Sequence, residues 1–146
     1  NIQGRVDRID VNENKSRFIV VDYKTGGKVE SIAKNISEGK HLQLPIYVEA
    51  VRKMLMQSAT PIGGILFALM TIEKKHGFLK KEFNDICYSI NKRSHTLMDD
   101  DKWNELLNTA VDYASKYITR IRTGHFELTD DDCPHYCKFG DVCRAI

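Results

Sequence analysis

The run Phe18-Ile-Val-Val-Asp-Tyr-Lys24 constrains what this chain can fold into more than any other stretch. Side chains along a strand alternate between faces. Phe18 and Val20 therefore share a face with Asp22 and Lys24, and Ile19, Val21 and Tyr23 share the opposite one. Both faces are apolar until the charges begin. Such a strand suits the centre of a sheet, with its charged end emerging at a cleft.

The preceding run, "GRVDRIDV", is also strand-like, and the polar turn "NENKS" joins the two into a hairpin. A turn centred on Asn14 and Lys15 pairs Asp7 with Asp22. Directly opposed side chains have Cβ atoms about 4.5–5.5 Å apart. Two carboxylates that close repel each other unless a cation sits between them. A hard divalent cation with oxygen ligands at about 2.0–2.6 Å fits that gap. With Lys24 on the same face, the set suits phosphodiester hydrolysis. The metal polarises a phosphoryl oxygen and lowers the pKa of a bound water, and the lysine positions that water or stabilises charge on the phosphate. The ordinary alternative for a D-x-K strand is a surface salt bridge of Asp22 with Lys24 or Arg5.

"HLQLPIYVEAVRKMLMQ" has a helical period, with Leu42, Ile46, Ala50, Val51, Met54 and Leu55 on one stripe. Pro45 is tolerated only in a first turn, so the helix should start near His41. "GGKVESIAKNISEGK" reads as a loop with room for a short helix. "PIGGILFALM" suits a buried strand, and "KKEFNDICYSIN" a further strand. From Asp100 to Thr123 the period is helical again, with Trp103, Leu106, Leu107, Ala110, Val111, Ala114, Tyr117, Ile118 and Ile121 as the apolar face. Acid at its start, Arg120 and Arg122 at its end and Gly124 as C-cap mark a helix roughly 36 Å long. The order predicts an α/β single domain ending in a long helix and a cysteine tail.

The length of 146 residues suits one domain. A net charge of +2 neither requires nor excludes a nucleic-acid partner. Lysines 74, 75, 80 and 81 cluster, as do Arg120 and Arg122, and a solvated face accounts for such groups. No apolar run reaches the roughly 20 residues of a membrane helix, and no export signal is recognisable. The chain opens at Asn1 within what reads as a strand, which predicts a piece of a longer, cytoplasmic protein. Of 4 cysteines, Cys133, Cys137 and Cys143 crowd the end and Cys87 stands alone. Without an export signal, that grouping reads as metal ligation before disulfides. With His135 among them, Zn2+ is one occupant.

"GRVD", then "DYK" about fifteen positions later, then "QLPIY", resembles the nuclease module of the PD-(D/E)xK superfamily. RecB-like and AddB-like nuclease domains are the nearest likeness, and CRISPR-associated exonucleases are similar. The resemblance covers the chain almost from end to end. It implies a restriction-endonuclease-like core: a mixed central sheet flanked by helices. It makes Asp7 and Asp22 the catalytic, metal-binding acids, Lys24 the catalytic lysine and the backbone carbonyl of Tyr23 a further metal ligand. The metal would be Mg2+ or Mn2+. Gln43 and Tyr47 match the Q-x-x-x-Y motif, whose i, i+4 spacing puts both on one helix face for contact with DNA or the lysine.

The family's upstream helix, with a further acid or histidine, has no counterpart here, so the fragment alone is expected to be weak or inactive. In related nucleases a similar tail, spaced C-x2-C-x5-C with a fourth cysteine far upstream, holds a [4Fe–4S] cluster. The spacing here is C-x3-C-x5-C, over residues 125–146. The resemblance thus implies a cluster on Cys133, Cys137 and Cys143 in the intact protein, with Zn2+ as the alternative. It implies a DNA exonuclease domain, residues 1–146, acting on single-stranded or unwound ends within a repair or recombination helicase–nuclease. The competing readings are a catalytically silent module that binds DNA or a helicase partner, and a zinc-stabilised interaction domain.

Overall fold

The computed structural model describes residues 3–25, 32–69, 75–84 and 97–126. The chain divides into two compact units, Asn1–Ala114 and Ser115–Ile146. Unit 1 is built on a 5-stranded sheet in the order β1-β2-β3-β4-β5. Its strands are β1 (Arg8–Val11), β2 (Arg17–Lys24), β3 (Thr60–Ala68), β4 (Lys75–Lys80) and β5 (Leu97–Met98). The helices are α1 (Ile32–Ser37), α2 (Gln43–Met54) and α3 (Asp100–Arg122), and a single 3-10 turn follows β4 at Lys81–Phe83. The sheet is mixed: β1–β2 and β3–β4 are antiparallel, β2–β3 and β4–β5 parallel.

The first hairpin closes on its own polar side chains. Asn12 Oδ1 accepts from the Arg17 N–H at 2.9 Å, and Asn14 Oδ1 accepts from the Ser16 hydroxyl at 2.6 Å. Lys15 takes the left-handed conformation at the tip, with φ 55°. The chain then crosses over through α1 and α2 to bring β3 back parallel to β2, as parallel neighbours require.

β2 is buried on both faces, as its sequence predicts. Phe18 and Val20 join Leu66 and Phe78 beneath Ile36 of α1, Leu44, Val48 and Val51 of α2, and Trp103, Leu106, Leu107 and Ala110 of α3. Ile19 and Val21 pack on the other face with Ile62, Ile65, Leu79 and Phe83. The α2 stripe differs from the expected one. Leu44, Pro45, Val48 and Val51 face the sheet, whereas Met54 and Leu55 are 76% and 70% exposed. Leu42 precedes the helix, and the last turn offers its large side chains to solvent.

Two strand expectations are corrected as well. The strand after β3 is "KHGFLK", and the 3-10 turn occupies Lys81–Phe83, at the start of the run expected to be a strand; residues 85–91 of that run lie outside the described residues. β4 lies so close to β3 that a side chain at Gly77 would collide with the Gly64 carbonyl. Leu69, expected within β3, lies just beyond its end and is exposed. In the second unit the described residues complete α3 and its stop. His125 N–H donates to Arg120 C=O at 2.9 Å and Gly124 N–H to Ile121 C=O at 3.2 Å. With φ 73° at Gly124, this is the expected glycine C-cap.

Candidate active site

The register of the first hairpin controls where its acids fall. Arg8 pairs with Val21 and Ile9 with Val20, so one further step sets Asp7 opposite Asp22. This is the register expected from a turn centred on Asn14 and Lys15. β1 gives out at Arg8, and the Asp7 carboxylate takes over the ladder's next contact. Its Oδ2 accepts a hydrogen bond from the Tyr23 N–H at 3.0 Å.

Asp22 and Lys24 are on the helix-covered face of β2, and the first turn of α2 lies beside them. No Ser, Thr, Asp or Asn caps this helix; His41 turns the chain with φ 54°, and Leu42 is the N-cap. Gln43, the first helical residue, is thereby left to serve the sheet. Its Oε1 accepts from Lys24 Nζ at 2.8 Å. Its Nε2 lies 3.4 Å from Asp22 Oδ1 and donates to the Tyr47 hydroxyl at 3.1 Å. The amide orientation is fixed by chemistry, because an ammonium has no acceptor and must face the carbonyl oxygen.

Asp22 is 3% exposed. Lys24 Nζ lies 2.6 Å from its Oδ2, with the lysine side chain 37% exposed. This is an ion pair set off the hydrogen-bonding direction, and Oδ2 accepts no hydrogen bond from any described residue. The Asp22–Lys24 pair named as the ordinary alternative therefore forms, but not at the surface.

Tyr47 ties this network to the segment carrying Asp7. A Cβ at Gly4 would fall 2.8 Å from Tyr47 Cε1 and 3.1 Å from its hydroxyl, so the ring lies against bare backbone. Val6, two residues on, packs against the main core. The sequence reading did not single out Gly4; the signal was the glycine of "GRVD".

On the opposite face Tyr23 packs on Phe67, with ring centroids 5.9 Å apart. Its hydroxyl accepts from Arg8 at 3.2 Å, while Arg8 grips both carboxylate oxygens of Asp10 at 2.6 and 3.0 Å. Asp10 is thus bound up away from Asp22. In the lysine cluster, Lys80 is committed to Asp100 at 2.6 Å and sits 5.7 Å from the Trp103 ring centre.

Asp7, Asp22, Tyr23, Lys24, Gln43 and Tyr47 are therefore brought to one end of the sheet. Cys87, Cys133, His135, Cys137 and Cys143 lie outside the described residues. Among the described residues no three His, Cys, Asp or Glu side chains converge as a metal cage. The donors at the sheet end are two carboxylates and backbone. They suit a hard, largely hydrated cation such as Mg2+, which binds through one or two carboxylates and keeps several waters.

Comparison with protein-family models matches residues 1–144 to the PD-(D/E)XK nuclease superfamily. Neither the curated proteins nor the solved structures give a significant match.

Proposed function

Because the chain belongs to the PD-(D/E)XK nuclease superfamily, we propose that it is a metal-dependent deoxyribonuclease domain whose site is formed by Asp7, Asp22 and Lys24. Nuclease-type phosphodiester hydrolysis is the activity of the superfamily, and the mixed sheet with its helices is the restriction-endonuclease-like core. The observation that carries the finer reading is the convergence of two facing acids and a lysine on one strand end, joined through Gln43 to Tyr47.

Asp7, Asp22 and the Tyr23 carbonyl would hold Mg2+ or Mn2+. A residue's N–H and C=O address the same neighbouring strand in an antiparallel ladder. The Tyr23 N–H faces Asp7, so its carbonyl belongs to the same gap. When bound, the cation supplies Lewis-acid polarisation of the phosphate and a more acidic water. Lys24 places its ammonium where negative charge grows on the phosphate. Gln43 holds that ammonium by its carbonyl oxygen, and Tyr47 holds Gln43. The packed sheet end keeps these groups in place before DNA arrives, which is the main contribution a rigid site makes.

The substrate we propose is single-stranded or unwound DNA, handled by an exonuclease module of a repair or recombination helicase–nuclease. Cys133, Cys137 and Cys143 would ligate a [4Fe–4S] cluster in the intact protein, or Zn2+ as the alternative; iron, sulfide and zinc analysis separates the two. Among the described residues no helix is long and apolar enough to cross a membrane.

The test is cleavage of an end-labelled single strand by the intact protein, with Mg2+ or Mn2+ against EDTA, beside Lys24→Ala. Metal-dependent cutting that the variant loses supports the reading. A folded wild type that binds DNA without cutting it would instead make this a binding module.

A further inference from the structure

The arrangement around Asp22 implies a second duty for Lys24, resting on the metal-site reading above. A carboxylate that is 3% exposed needs compensating charge. Among the described residues its one close cationic partner is Lys24, 2.6 Å from Oδ2. Among the described residues its hydrogen bonding is incomplete: Oδ1 has one long contact from Gln43 at 3.4 Å, and Oδ2 has none. An oxygen meant to stay with a lysine would be expected to have a directed hydrogen bond from it. One of the three N–H groups of the Lys24 ammonium is directed to Gln43 Oε1 at 2.8 Å.

We infer that Lys24 is an exchangeable counter-ion of Asp22, which a divalent cation must displace, so that metal entry itself releases the ammonium toward the phosphate. Charge accounting supports the exchange. With Lys24 in place, the buried acid is neutralised without metal and the fold is safe. With a divalent cation on Asp22, the ammonium loses its attraction to that oxygen and meets repulsion from the new charge. Gln43 Oε1 keeps hold of it, so the lysine shifts without leaving the site. Loading the metal and arming the lysine then become one event.

The inference separates binding from cleavage. Manganese titration calorimetry without DNA, on the intact protein, compares the wild type with Lys24→Met, Lys24→Arg and Asp22→Asn. Removing the competing charge should tighten Mn2+ binding by roughly two- to fivefold in Lys24→Met, the range expected for one partly exposed ion pair. Lys24→Arg should bind no more tightly than wild type, and Asp22→Asn should lose binding. In chelator, Lys24→Met should melt below wild type, and added Mn2+ should raise its melting temperature more than that of the wild type.

A folded Lys24→Met with equal or weaker Mn2+ affinity overturns the inference and leaves the nuclease reading standing. If Lys24→Met does not fold in chelator, Mn2+ must restore it, and the double variant Asp22→Asn/Lys24→Met must fold without metal. Failure of either overturns the inference. A wild type that takes up no Mn2+, and is indistinguishable from Asp22→Asn, overturns the metal-site reading and this inference with it.

Discussion

Glu49 on α2 and Asp22 on β2 are both carboxylates held beside basic side chains, in very different company. Arg52 meets Glu49 with both prongs, Nε at 3.0 Å and Nη2 at 2.7 Å, and Lys53 adds a contact at 3.4 Å. Glu49 keeps 13% of its side chain exposed, at the edge of solvent. Asp22 is the more deeply buried, yet among the described residues it has one long hydrogen bond and one undirected ion pair. The expensive location carries the less complete set of partners. A bidentate Arg–carboxylate pair is a finished interaction. A buried acid whose Oδ2 accepts no hydrogen bond from the described residues is the less finished of the two.

Removing each acid in turn separates the two carboxylates most clearly. Asp22→Ala should lower DNA cleavage by roughly 10²–10⁴-fold, the range for loss of a group acting directly on the reacting phosphate. Glu49→Ala should leave the rate within about twofold, since surface ion pairs contribute little. Rates on a labelled strand, with circular dichroism to show that both variants fold, decide it. Equal losses would mean that the contrast has no functional content.

Next in size comes the link between Gly4 and Tyr47. Gly4→Ala pushes a methyl into the Tyr47 ring, and the give must come from the ring or from the Asp7 segment. Either movement loosens a site whose geometry matters, so cleavage should fall by roughly tenfold; an ångström of misplacement can cost more. In a Tyr47→Ala background the same change should be nearly neutral, because the obstacle is gone. The double-mutant cycle is the measurement. Additive losses would show that Gly4 acts without Tyr47.

These contacts were not equally legible in the sequence. The hairpin register and the Gln43–Tyr47 pairing follow from local spacing, and local geometry carries them unchanged into the fold. The apolar faces of β2 were legible for the same reason. What spacing could not supply was position relative to distant elements. Met54 and Leu55 have the right chemistry for the core, but they lie at and just past the C-terminal end of α2. The sequence reading assigns "KHGFLK" no element; it pairs with β3 so closely that Gly77 has no room for a side chain. On α3, Trp103, Leu106, Leu107 and Ala110 are buried while Ile121 is 60% exposed, although one apolar period runs through both. The pairing of Asp22 with Lys24 could be expected two residues apart on one strand face. Its burial, which changes the meaning of the pair, comes from α2 and from β3 alongside.

The smallest effect tests the other half of the comparison. Burial pushes the Glu49 carboxyl up, but the hydrogen bonds and charges of Arg52 and Lys53 together outweigh it and hold the pKa below its ordinary 4.5. A depressed carboxylate stabilises the fold above its unfolded pKa, and that contribution fades as pH falls through the folded one. Glu49→Gln should therefore cost roughly 0.5 kcal/mol at neutral pH, as for an exposed ion pair. The gap between variant and wild type should narrow below the ordinary value and close once Glu49 is protonated in both states. Urea denaturation of the two proteins at neutral and acid pH measures it. A gap that persists in acid would assign the cost to packing of the Glu49 stem against α2, and Glu49 would no longer stand as the finished ion pair against which Asp22 is set.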